Sequence, residues 1–434
     1  MQLSDITNAA LPPGTKGLPL DGSITRVADL AGRGLNLLRG DLPMPVAVLK
    51  QSALDNNLKT MQAYIERIGV KLAPHAKTTM CPQLFARQLG TGAWGLSVAT
   101  MTQFKLCHDL GDAIGMTRLI LANQLVGKAE ITGLARLWAQ TPQRAYYVLV
   151  DSIEGARAIS AGFGLCPGAP PARLLIEMGM PHARCGVRTV EEGVTLAREI
   201  QSLPHVELHG VEGYEGLIVS DHAGRDTTAV VSYLQTILKL CESLIADQRF
   251  AVPNEIIVSA GGSAYYDLVA HVLSGEWHNS SRIVPILRSG CYVTHDSGFY
   301  RRLLTRIQLR AIEGPAPQLV PALEVWSRVI SRPQANQAIV LMGKRDVSYD
   351  IDLPAARWWY REGHHDAPVA VDGLSVDKLN DQHAYLSVPG EADLRVGDLL
   401  GFQISHPCTT FDKWSLLMEV ADDYTVVDGL KTFF

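Results

Sequence analysis

Along the first two thirds of the chain, short continuous apolar runs alternate with longer stretches whose apolar residues recur three and four apart. Apolar runs bounded by polar turns read as buried strands, and the three-four spacing reads as amphipathic helix. Strands are predicted at Val70–Pro74, Gly95–Ala99, Leu119–Ala122, Ala145–Asp151, Arg173–Glu177, Val206–Glu212, Glu255–Ala260 and Ile283–Leu287. Between them lie helical stretches such as M-T-Q-F-K-L-C-H-D-L and T-V-E-E-G-V-T-L-A-R-E-I. Ahead of them, S-A-L-D-N-N-L-K-T-M-Q-A-Y-I-E-R-I sets Leu54, Leu58, Met61, Tyr64 and Ile65 on one helical face. Eight buried strands, each followed by a helix or long loop, fit an α/β fold of the (β/α)8 barrel type. A doubly wound open sheet shares this local pattern, and periodicity does not separate the two.

The pattern changes after about Thr305. I-Q-L-R-A-I, L-V-P-A-L-E-V-W-S-R-V-I-S, Q-A-I-V-L-M and T-V-V-D-G-L are strand-like, with few helices between them. This predicts a barrel domain over residues 51–294 and a second, mainly β domain over residues 295–434. The N-terminal segment 1–50, with its strand P-V-A-V-L-K (Pro45 to Lys50), is assigned to the second domain.

Composition narrows the function classes. The chain has 434 residues, 47% hydrophobic and 19% charged, enough to bury a large core. A net charge of -5 without a basic run argues against a nucleic-acid partner. No apolar segment runs uninterrupted for the roughly 18 residues of a membrane span. The N-terminus lacks the charged and apolar regions of a secretory signal. The 7 cysteines are scattered and form no C-x-x-C pair, which suits a reducing, cytoplasmic setting.

Candidate chemistry gathers at strand ends, where barrel enzymes place their active sites. K-L-A-P-H-A-K-T-T-M delivers Lys77 past the first strand, where a desolvated amine attacks carbonyls to form a Schiff base. V-S-A-G-G-S ends a strand with Gly261, Gly262 and Ser263, residue types that cradle a phosphate. L-R-S-G-C-Y-V-T-H-D, holding Tyr292, ends the last predicted barrel strand, and barrel phosphate sites use the loops after the seventh and eighth strands. Arg184 in M-P-H-A-R-C-G-V and Tyr214 in L-H-G-V-E-G-Y-E-G follow two more strands. In the second domain, S-H-P-C-T-T-F-D holds His406 and Cys408 two apart, an imidazole and a thiol suited to a zinc ion. Each motif alone also reads as structural: a surface lysine or arginine, a tight turn, a half-buried tyrosine, a structural H-x-C.

Together, P-H-A-K-T, G-V-E-G-Y-E-G, S-A-G-G-S, R-S-G-C-Y-V and H-P-C resemble the D-serine dehydratase-like and D-threonine aldolase-like family of fold-type III pyridoxal-phosphate enzymes, related in fold to alanine racemase. The resemblance spans most of the chain. It implies that Lys77 holds pyridoxal phosphate through its aldehyde. It also implies that Gly261, Gly262 and Ser263 cradle the phosphate with Tyr292 nearby, and that Tyr214 lies by the cofactor ring. Arg184 is implied beside the cofactor's phenolic oxygen or the substrate carboxylate. His406 and Cys408 are implied as ligands of a divalent metal, favoured as zinc by the cysteine. A homodimer is implied as well. The family's lysine segment usually carries Arg before Pro-His and His after Lys-Thr, where this chain has Ala73 and Thr79.

The activity these residues imply is metal-assisted dehydration of a D-3-hydroxy amino acid, such as D-serine, D-threonine or D-threo-3-hydroxyaspartate, to a 2-oxo acid and ammonia. Cysteine at the second ligand position resembles the dehydratase branch, and a carboxylate there resembles the aldolase branch. The alternatives are a D-threonine aldolase-type retro-aldol lyase and a non-catalytic carrier of pyridoxal phosphate. Asp412 is a further candidate metal ligand, and the segment from Tyr349 to Glu362 reads as an elaboration of the second domain.

Overall fold

The computed structural model describes residues 1–220, 222–275, 283–312 and 314–434. Each of the eight predicted barrel runs contains a strand. Strand β1 (Val46–Lys50) precedes them, followed by β2 (Lys71–Leu72), β3 (Leu96–Val98), β4 (Arg118–Gln124), β5 (Ala145–Val150), β6 (Ala172–Met178), β7 (Val206–Gly213), β8 (Ile256–Ala260) and β9 (Ile283–Leu287). β2 to β9 form one parallel sheet in the order β2-β9-β8-β7-β6-β5-β4-β3. β2 and β3 are too short for a full ladder. Even so, Trp94 N–H donates to the Leu72 carbonyl (2.8 Å) and Ser97 N–H to the Pro74 carbonyl (2.9 Å), which nearly closes the ring. The choice between barrel and open sheet thus falls to the barrel.

The strands are apolar on both faces, as parallel strands covered by helices must be. Ala73, Ile120, Tyr147, Leu149, Leu175, Ile257 and Ile286 fill the interior. Their neighbours Leu119, Leu121, Val148, Leu174 and Ile176 face the helical layer. Among the described residues, one helix, Ala223–Ala246, is long and apolar enough to cross a membrane by length and composition alone. Its buried Val230, Leu234, Ile237, Leu238 and Cys241 pack toward β7 and the helices Val190–Ser202 and Tyr266–Gly275.

The second sheet is mixed and ten-stranded. It adds β10 (Leu323–Gln334), β11 (Gln337–Val340), β12 (Ala355–Tyr360), β13 (Val369–Ala370), β14 (Ser375–Leu379), β15 (Ala384–Ser387), β16 (Leu399–Gln403), β17 (Leu416–Val420) and β18 (Val426–Lys431). Its main order is β13-β12-β16-β10-β1-β17-β18. β1 runs antiparallel to β10, with Val46 opposite Trp326, and parallel to β17, with Val48 opposite Met418. The N-terminal strand therefore sits in the middle of this sheet.

One predicted strand is corrected. I-Q-L-R-A-I lies mostly within the helix Phe299–Arg310. Leu303, Leu304 and Ile307 are buried on one helical face, while Arg301, Arg302, Arg306 and Arg310 alternate with them in sequence. A reading that starts at Ile307 misses that face and sees only alternation. The segment from Tyr349 to Glu362 supplies β12, hydrogen-bonded between β13 and β16 in the second sheet.

Barrel and second sheet are joined by a buried ion pair. Arg87, on the helix Pro82–Thr91, donates two hydrogen bonds to the Glu419 carboxylate on β17, at 2.6 and 2.7 Å. Glu419 is fully buried. Removing the cation strands a buried carboxylate, which typically costs about 3–5 kcal/mol. Arg87→Ala is therefore expected to lower the unfolding free energy by about 3 kcal/mol in a urea titration. A loss below about 1 kcal/mol would show that the pair does not hold the two sheets together.

Candidate active site

The barrel strands end at a cavity of about 280 Å³, close to the roughly 300 Å³ lower bound of small-molecule sites. Lys77, Arg184, Tyr214, Gly261, Ser263, His406 and Cys408 all line it. Chain positions more than three hundred residues apart thus share one space. Lys77 sits in the one-turn helix Ala76–Thr78 after β2, and it is exposed rather than desolvated as expected. Gly290, after β9, packs on this turn so closely that a Cβ there would fall 2.6 Å from both the His75 carbonyl and Thr78 Oγ1. Glycine is what lets the two loops touch.

Gly262 and Tyr292 are placed differently from expectation, because neither lines the cavity. Gly261 and Gly262 N–H both donate to the buried Glu215 carboxylate, at 3.1 and 2.7 Å. Those two amides are thereby engaged by a protein anion. Tyr292 is buried beside a smaller hollow shared with Ser263, Tyr266 and Ser289. Ser289 Oγ is buried there with no hydrogen-bond partner among the described residues, and it lies by Gly262. An unmatched buried hydroxyl is costly, and a phosphate oxygen is a fitting partner for it.

The cavity walls carry opposed charges. Arg288 is buried, paired with Glu212, and donates to Ser259 Oγ (3.2 Å) and to the Gly213 carbonyl (3.0 Å). The Arg184 guanidinium lies 4.5 Å from the centre of the Tyr214 ring. That ring in turn rests on Gly261, where a Cβ would come within 2.7 Å of two ring carbons. Burial, with Lys77 and Arg288 nearby, holds His75 well below its usual range, so its ring is neutral.

The H-P-C turn is built on carboxylates. His406 takes a left-handed φ of +67°, a conformation that costs a non-glycine residue about 1–2 kcal/mol. Asp296 fixes it by accepting the His406 N–H at 3.1 Å, and also accepts N–H groups of Gly298 and Arg301. Asp350 Oδ2 lies 2.5 Å from His406 Nδ1. Cys408 Sγ is 3.5 Å from Cys291 Sγ and 3.6 Å from Thr78 Oγ1. The hydrogen bond from Cys291 holds the Cys408 thiol well below its ordinary range, with His406 adding to it. The same bond, together with burial, pushes Cys291 up. His406 is raised to about 9, first by Cys408 and then by Asp350.

These residues suit the groups that the sequence implied. A metal-binding histidine typically hands its other ring nitrogen to a carboxylate, and His406 does so with Asp350. Among the described residues, no three His, Cys, Asp or Glu side chains are already gathered as a metal cluster. Asp412 does not line the cavity and pairs with Lys413 at 3.5 Å. Sequence reasoning missed Cys291, Asp350, Tyr300, Arg288, Glu177 and Glu212 as site residues. Cys291 and Arg288 stood within a motif already singled out, L-R-S-G-C-Y-V-T-H-D.

Glu177 gives the cavity a pH signature. It accepts a hydrogen bond from Gln124 Nε2 at 2.6 Å. Burial, then Glu212, raises its carboxyl to about 7 from an ordinary 4.5. The folded chain binds this proton more tightly than the unfolded chain, so stability falls as pH rises from 4.5 to about 7. Glu177→Gln removes that titration. Between about pH 5 and pH 8 its Tm should fall less than the wild type's, by on the order of 2–4 °C. Equal pH profiles in calorimetry would place the proton elsewhere.

Known proteins agree with this architecture. Residues 322–420 match the family model described as a putative serine dehydratase domain. D-threonine aldolase of an Arthrobacter species is 24% identical over 384 residues, covering 87% of this chain and 89% of the relative. D-threo-3-hydroxyaspartate dehydratase of Delftia sp. (strain HT23) is 28% identical over 158 residues, 36% of this chain and 39% of that one. Among solved structures, D-threonine aldolase from Filomicrobium marinum superposes with a TM-score of 0.72 at 23% identity, covering 93% of this chain and 98% of its own. A metal-free form of D-threo-3-hydroxyaspartate dehydratase with one cysteine replaced by alanine gives 0.70 at 22% identity, covering 92% and 99%. An alanine racemase-like protein from Idiomarina loihiensis gives 0.67 at 16% identity, covering 90% and 96%. The chain is thus similar to the D-threonine aldolase and D-threo-3-hydroxyaspartate dehydratase proteins and has the alanine racemase-like fold.

Proposed function

We propose that this protein is a pyridoxal-phosphate- and divalent-metal-dependent lyase that dehydrates a D-3-hydroxy amino acid to a 2-oxo acid and ammonia. The observation that carries the reading is the meeting of Lys77 with His406 and Cys408 in one cavity. An amine that reacts with carbonyls and a histidine-cysteine pair on a separate sheet have no shared structural purpose.

Lys77 is the residue to hold pyridoxal phosphate at its aldehyde, with Ser263 and Ser289 as phosphate donors. When bound, the cofactor supplies an electron sink for charge developing at the substrate α-carbon. The Lys77 amine, when not engaged with the cofactor, would be the base for the α-proton. Arg184 supplies a cation for a substrate carboxylate. Arg288 is neutralised by Glu212, so it contributes directed N–H donors rather than net charge. Tyr214 walls off one side of the cavity. His406 and Cys408 would hold the metal, which supplies Lewis-acid assistance at the β-oxygen. Asp350 keeps the His406 ring in place.

Retro-aldol cleavage is the second reading, favoured by the D-threonine aldolase match over 87% of the chain. Product analysis separates the two. Protein loaded with pyridoxal phosphate and zinc is offered D-serine, D-threonine and D-threo-3-hydroxyaspartate, with and without chelator. The expected product is 2-oxo acid whose formation the chelator abolishes. Glycine plus aldehyde would establish the aldolase reading. Neither product, with a bound-cofactor spectrum, would mean either a different substrate class or a carrier. Lys77→Ala is expected to lose the visible absorption band and about 10²–10⁴-fold of activity. His406→Ala should keep the band and lose the activity.

A further inference from the structure

Two thiols, not one, stand at the metal side of the cavity. Cys291 follows β9 and Cys408 lies in the H-P-C turn, 117 positions apart, yet their sulfurs are 3.5 Å apart. Both line the cavity, as does His406. Two sulfurs bound to one tetrahedral zinc ion at about 2.3 Å each stand about 3.8 Å apart. The observed separation is close to that spacing, and the S–H···S hydrogen bond spans the line between them.

The surroundings are those of ligands. Thr78 Oγ1 is 3.9 Å from the Cys291 sulfur and 3.6 Å from the Cys408 sulfur, a hydroxyl placed against both. Tyr300 also lines the cavity with Cys291. Asp350 takes Nδ1 of His406 and leaves the other ring nitrogen available. A hydroxyl against sulfur and a carboxylate on imidazole are the kind of outer partners that orient thiolate and histidine ligands.

We propose that Cys291 is the third protein ligand of the divalent metal, giving a His406–Cys408–Cys291 site with its fourth position open to the cavity. Metal uptake replaces the sulfur-to-sulfur hydrogen bond, and the Cys291 proton, together with any proton on the His406 nitrogen that takes the metal, goes to solvent. Three protein ligands and one open position is the pattern of catalytic rather than structural zinc. The inference rests on reading the H-P-C turn as a metal site.

X-ray absorption at the zinc edge of the wild-type, zinc-loaded protein counts the sulfurs directly. Two sulfurs at about 2.3 Å are expected. One sulfur would overturn the proposal and leave the H-P-C reading intact. Failure to bind zinc at all would overturn both. Cobalt(II) gives a second readout. Its sulfur-to-metal charge-transfer band should fall to about half in Cys291→Ser and in Cys408→Ser alike. Zinc affinity, measured by chelator competition, should drop at least about 10-fold in each, the least that loss of a mere outer partner costs. A Cys291→Ser protein with the wild-type band and affinity would overturn the assignment. Thermal unfolding of each variant separates ligand loss from misfolding, and the absorption measurement needs no variant.

Discussion

The candidate site depends on how the turn that carries His406 and Cys408 is gripped by neighbouring carboxylates and hydroxyls. Asp296, just beyond β9, accepts the backbone N–H of His406. Asp350 holds the His406 ring. Ser405 is fixed as well: its carbonyl accepts the Ser348 hydroxyl at 2.5 Å and its hydroxyl donates to Asp352 at 2.7 Å. These contacts hold His406 at a positive φ that it would otherwise leave. Strained backbone persists only where its surroundings over-determine it. Without that grip, the histidine and Cys408 would have no defined position relative to Lys77.

Buried carboxylates are used throughout as scaffolding. Glu215 is consumed by two glycine amides, Glu212 by Arg288, and Glu419 by Arg87. Burial pushes the free carboxyls of Glu215 and Glu212 upward, and hydrogen bonds and cations counter it. Such groups set loop positions with a precision that apolar contacts lack, because a misplaced partner leaves a desolvated charge. The glycines of S-A-G-G-S therefore serve first to seat the tyrosine loop. Gly261 lets the Tyr214 ring lie flat against the backbone, and Glu215 beside it ties down both amides. The donors for an anionic ligand come instead from side chains, Ser263 and the unmatched Ser289.

Much of this was legible in the sequence, for a physical reason. Parallel barrel strands are buried on both faces, so their apolar runs stand out, and every predicted run holds a strand. Lys77, Arg184, Tyr214, Ser263, His406 and Cys408 were visible because strand ends and an H-x-C turn are local features. The helix Phe299–Arg310 was partly missed because arginines interrupt its apolar face. The use of Gly262 was misread because a glycine pair looks the same whether its amides meet a phosphate or a glutamate. Cys291 and Asp350 were missed as partners because their meaning is tertiary. Asp350 is 56 positions from His406, and Cys291 is 117 from Cys408. Each stood in a segment that had been singled out, but nothing local marks its partner.

In the proposed metal site, charge would bear on the choice of reaction. Each thiolate removes one unit from a divalent cation, so two thiolates and a neutral imidazole leave a site of no net charge. A carboxylate and an imidazole alone leave one positive unit. The acidity of a hydroxyl near a metal rises with the charge that the ligands leave uncompensated. Carbon–carbon cleavage begins by stripping the proton from the β-hydroxyl, so it gains most from the positive site. Elimination instead breaks the C–O bond, and the departing oxygen benefits from keeping its proton. A thiolate-rich site polarises that oxygen while leaving its proton in place. In the proposed site, a second sulfur beside Cys408 would therefore favour loss of water, through the same histidine that either reaction would use.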